Sequence, residues 1–89
     1  LEGVDDRRNL VGAAYRFLQL GAYASRVAAD QLAEEIRERW DYPVVVAAVD
    51  TEGARLHRVR VGPFSGADEL ERARTRLIAA DYPTPQRLP

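Results

Sequence analysis

The side chains of this 89-residue sequence that could do chemistry are carboxylates, arginines and a single histidine. None stands in a catalytic pattern. Glu35 with Arg39, and Asp68 with Arg72, are four positions apart, the usual spacing of ion pairs on a solvated helix face rather than of paired acids across a cleft. His57 stands beside Arg58 with no second histidine, and the chain has no cysteine, so thiol nucleophiles, disulfides and the common metal-ligand spacings are all absent. Phosphate-cradling glycine loops and nucleophile elbows are missing too. No catalytic residue, metal or cofactor is expected. What remains is hydrogen bonding. All 13 basic residues are arginine, a bias that points to a GC-rich genome but also suits planar, multidentate recognition. The chain reads as a binding module.

The elements that must position these groups follow from periodicity. Tyr15 to Leu20 alternates as a strand, with Tyr15, Phe17 and Gln19 on one side and Arg16, Leu18 and Leu20 on the other, and Gly21 is expected to end it. Ser25 caps a helix whose stripe is Ala28, Ala29, Leu32, Ala33, Ile36 and Trp40. Tyr42-Pro43 stops that helix, and Val44 to Val49 is a strand. Asp50 to Gly53 makes a hairpin connection into a returning strand, Arg55 to Val61, which Gly62-Pro63 ends. A second helix opens at Ser65, pairs it with Asp68, and buries Leu70, Ala73, Leu77 and Ala80. Thr84 to Leu88, flanked by prolines, can only be an edge strand.

The two halves repeat. Leu20-Gly21-Ala22-Tyr23 matches Val61-Gly62-Pro63-Phe64, and Asp41-Tyr42-Pro43 matches Asp81-Tyr82-Pro83, at offsets of 41 and 40 positions. The expected fold is therefore α+β, a β-α-β-β-α-β chain of RNP-like or ferredoxin-like type. Its four-stranded antiparallel sheet carries both helices on one face and leaves the other open. Gly21 and Gly62 serve tight turns, Pro63 stiffens the second, and Tyr23 and Phe64 plug the core beneath the helices. Residues 1–14 read as a linker or N-terminal extension and residues 15–89 as one domain.

The runs Phe17-x-Gln19-x-Gly21-x-Tyr23 and Arg58-Val59-Arg60-Val61-Gly62-Pro63-Phe64, in this order and with Ala28-x-x-x-Leu32 between them, closely resemble the two signatures of SPOR domains. That resemblance implies a bacterial module that binds peptidoglycan glycan strands, above all those without stem peptides, on the open sheet face. It carries glycan contacts onto Gln19 and Arg58, which alternation also puts on that face. Less directly, it carries them onto Leu56 and Gln86, and onto Ala22 where many members have a small hydroxyl residue; Phe17 adds aromatic surface there. It further implies a periplasmic or envelope location, enrichment at the division septum, and a larger parent protein such as an amidase or a lytic transglycosylase.

Composition sets bounds on the alternatives. A net charge of −1 argues against a module held to nucleic acid by phosphate contacts. An RNA-recognition motif has the same element order, but Leu56 to Val61 lacks the aromatic platform such a strand carries. A ferredoxin-like dimerisation module is the other rival, against which a monomer is expected. No apolar run is long enough to insert in a membrane. The chain lacks methionine and is expected to be part of something longer, with any export signal or anchor upstream.

Overall fold

A computed structural model describes residues 15–89, and the proposed extension over residues 1–14 lies outside the described residues. The elements are β1 (Phe17–Tyr23), α1 (Arg26–Trp40), β2 (Val44–Thr51), β3 (Ala54–Val61), α2 (Ala67–Ala79) and β4 (Gln86–Leu88). The strands form one sheet in the order β2-β3-β1-β4, antiparallel throughout. This is the expected α+β architecture. Its core lies between one sheet face and the helices. Leu18, Leu20, Val44, Val59 and Val61 from the sheet meet Ala29, Ala33 and Ile36 of α1 and Leu70, Ala73 and Leu77 of α2. The alanines let α1 settle close to the strands, and Phe64 fills the space where β3 turns towards α2.

Local chemistry explains most boundaries. Ser25 Oγ accepts from the Ala28 amide at 3.1 Å and caps α1, and Asp41 ends that helix in the left-handed conformation with its amide bonded to the Arg37 carbonyl. Glu52 and Gly53, both at positive φ, make the two-residue turn between β2 and β3, a geometry that matches the twist of paired strands. Gly62 follows β3 at φ +133°, and a Cβ there would lie 2.6 Å from the Arg16 carbonyl oxygen. Only glycine fits this close approach.

Several expectations change. Gly21 does not end β1. The β1–β3 register shifts between Gln19 and Ala22, and Gly21, at φ +117°, occupies that bulge while the strand runs on to Tyr23. The extra residue reverses the alternation, which puts Ala22 on the face of Gln19 and brings Tyr23 to the core side, where its hydroxyl donates to the Leu20 carbonyl at 3.0 Å. Tyr15 precedes the strand and packs against the core instead of sharing the side of Phe17. Ala28 is exposed, one step outside the buried stripe. The N-cap of α2 is Gly66, not Ser65, whose hydroxyl instead donates to Glu69 at 3.0 Å, and Ala80 is the residue after the helix.

Candidate functional site

The register places the side chains of the open face in rows that run across the strands. Gln86, Gln19, Arg60 and Val45 form one row over all four strands. Ala22, Arg58 and Ala47 form the next. Leu56 and Val49 pair beyond them, and Phe17 pairs with Leu88 at the opposite end. The result is a polar band with apolar ends. The alanines on both sides of Arg58 leave its side chain flanked by low ground, and two residues of strand, about 7 Å, separate it from Arg60.

All six residues assigned from the sequence to this face are there: Gln19, Arg58, Leu56, Gln86, Phe17 and Ala22. The sequence reading omitted Arg60, Val45, Ala47 and Val49, which share the face. Period-two spacing from Arg58 was signal enough for Arg60. The β2 residues carried no such signal, because that strand is apolar on both sides.

The polar groups of the band are chiefly donors. Arg60 Nε donates to Gln19 Oε1 at 3.3 Å, and Arg58 Nε is buried with no acceptor among the described residues. An arginine donor buried without a partner is costly unless something supplies an acceptor. No carboxylate belongs to these rows, and among the described residues neither guanidinium has an acidic partner.

Several of the other charges are engaged elsewhere. Arg55 is paired with Asp50 at 2.9 Å, and Arg87 with Glu71 at 2.5 Å. The Arg87 guanidinium holds the Glu71 carboxyl below the usual carboxylate range, and the Arg87 pKa rises in return. Glu35 and Arg39, expected to pair along α1, converge instead on Tyr82: its hydroxyl donates to Glu35 and accepts from Arg39 at 3.0 Å. Burial and then Glu35 push the Tyr82 pKa up. Nor is Asp68 bonded to Arg72; α2 places both along an open hollow with Glu71, Thr75 and Arg76. His57 pairs with Tyr23 on the helix side, opposite in facing to Arg58, and lines a second hollow with Arg26, Asp30, Arg37 and Arg55. The two Asp-Tyr-Pro motifs also meet on the helix side, where Tyr42 and Tyr82 both contact the Trp40 ring at centroid distances of 5.9 and 5.8 Å.

An open sheet with a donor-bearing floor defines a surface for binding rather than a cleft for reaction. The chain belongs to the SPOR domain family, whose model matches residues 12–87. It is 32% identical over 83 residues to the endolytic peptidoglycan transglycosylase RlpA of Pseudomonas aeruginosa, from strain UCBPP-PA14 and equally from the strain that includes PAO1. That alignment takes in 92% of this chain and 24% of RlpA, so the chain spans about a quarter of the length of those relatives. The crystal structure of the RlpA SPOR domain from Pseudomonas aeruginosa superposes with a TM-score of 0.78 at 32% identity, covering 83% of this chain and 97% of that one.

Proposed function

We propose that this domain binds peptidoglycan glycan strands lacking stem peptides on its open sheet face, and thereby holds a parent envelope protein at the division septum. Membership of the SPOR family makes it a peptidoglycan-binding module, and RlpA, a peptidoglycan transglycosylase, is a relative in the same setting. The observation that carries the finer reading is the band of Gln86, Gln19, Arg60 and Arg58, rich in donors and free of carboxylates, between the apolar pairs Phe17–Leu88 and Leu56–Val49. Sugars present hydroxyl and acetamido oxygens at their edges and C–H groups on their faces, which such a floor matches. Removing a stem peptide from its lactyl group also uncovers a carboxylate, a match for the Arg58 guanidinium. In this reading the domain acts as a monomer in the bacterial envelope, residues 15–89 form the binding unit, and any catalysis resides elsewhere in the parent.

Co-sedimentation with purified sacculi before and after amidase treatment tests this. More protein should pellet after the amidase has stripped the stems. Equal or weaker pelleting after treatment would remove the preference for stem-free glycan.

A further inference from the structure

The hydrogen bond between Arg60 and Gln19 carries information about which way the glutamine points. A guanidinium has donors only, so the carboxamide atom that meets Arg60 Nε at 3.3 Å must be the oxygen. The carboxamide nitrogen then lies on the side away from Arg60, and no described residue accepts from it. A free glutamine on a sheet surface can rotate its amide to offer either an acceptor or donors. This one has its acceptor engaged. Both partners lie across from each other on adjacent strands, which fixes the geometry from the backbone.

We propose that Arg60 is a positioning residue that locks the Gln19 carboxamide, so that Gln19 meets the glycan as a donor and selects acceptor oxygens on the sugar. The inference rests on the glycan-binding reading above. It separates the two arginines of β3: Arg58, with its unpartnered Nε, offers donors directly, whereas Arg60 acts through its neighbour. With Gln19 committed to donation, Arg58 and Gln19 both ask for acceptors, and the middle of the band disfavours a sugar group that must donate.

A double-mutant cycle with amidase-treated sacculi as the probe tests this, each variant first checked for wild-type thermal melting. Arg60→Met should weaken binding roughly three- to tenfold, as expected for one lost neutral hydrogen-bond arrangement. In a Gln19→Ala background the same substitution should cost nothing more, because Arg60 has then nothing to position. Arg60→Lys, which keeps a donor for the Gln19 oxygen, should recover part of the loss. Gln19→Glu keeps an oxygen for Arg60 but has no N–H group, and should bind no better than Gln19→Ala. Equal cost of Arg60→Met in both backgrounds would mean that Arg60 itself touches the glycan, and wild-type binding by Gln19→Glu would mean that the amide donors are unused. Either result overturns the inference and leaves the glycan reading standing. Failure of the wild-type domain to pellet with the treated sacculi would instead remove the glycan reading and this inference with it.

Discussion

In the proposed reading, Arg58 and Gly62, four positions apart, divide binding from folding at the level of single residues. Arg58 lies on the open face, and its buried Nε has no acceptor among the described residues, so the folded chain gains little from it. Gly62 lies outside the polar band, and a Cβ on it would press on the Arg16 carbonyl oxygen at 2.6 Å and on Phe17 Cδ1 at 3.1 Å. Arg58→Ala should therefore leave stability within about 0.5 kcal/mol of wild type. Its affinity for amidase-treated sacculi should fall by about 1 to 3 kcal/mol, roughly 5-fold to 150-fold. Gly62→Ala should do the reverse, costing about 1 to 3 kcal/mol in stability through positive φ and the close contact. Its binding, once corrected for the folded fraction, should fall far less than that of Arg58→Ala, because only Phe17 at the apolar end of the face is near the added methyl. Denaturant melts beside pelleting assays read both, and an Arg58→Ala protein that binds like wild type would move the glycan off this face.

At the level of elements, β4 is the shortest strand, yet it supplies Gln86 to the band. Three residues of pairing hold little by themselves, and two tethers to α2 help: the Arg87–Glu71 pair, and Arg74 Nε donating to the Pro85 carbonyl at 3.3 Å. Because Glu71 titrates below its unfolded value, its contribution is complete above the ordinary carboxylate pKa and is lost as pH falls through the lowered folded value. The side chains are 38% and 47% exposed, so solvent screening keeps the contribution under about 1 kcal/mol. Hydrogen exchange at Gln86 to Leu88 should accelerate in acid relative to the β3 amides, and Glu71→Gln should show the faster exchange already at neutral pH. Equal protection of β4 in that variant would show that the pair does not hold the strand. How far such elements could be read from the sequence depended on how local their causes are. Ser25 as a cap and the Asp-Tyr-Pro helix stops act within a few residues and were legible, as was the facing of Gln19 and Arg58 from strand alternation. The bulge at Gly21 exists only in the pairing of β1 with β3, and the meeting of Glu35 and Arg39 at Tyr82 needs two distant segments brought together. Neither leaves a trace in local spacing.

For the whole molecule, the two repeats interleave in the sheet. The first half contributes β1, α1 and β2, the second β3, α2 and β4, and the ladders are β1–β3, β1–β4 and β2–β3. Every ladder joins one half to the other. Neither half contains a strand pair of its own, so the halves should fold only together, with the slow, nonlocal pairing that such connectivity requires. Fragments 15–52 and 53–89, made separately, should each lack dispersed amide resonances, and mixing them should restore both the dispersed spectrum and pelleting with amidase-treated sacculi. A cooperative melt from either fragment alone would contradict this. The same arrangement means that the proposed binding face is a composite, with Gln19 from one half and Arg58, Arg60 and Gln86 from the other. Nothing in it requires those halves to come from one chain. If the turn at Glu52–Gly53 straightened, two molecules could exchange halves and still build every ladder. The exchanged pair would carry two complete faces on one particle, turning a weak single grip on a polymer into a bivalent one.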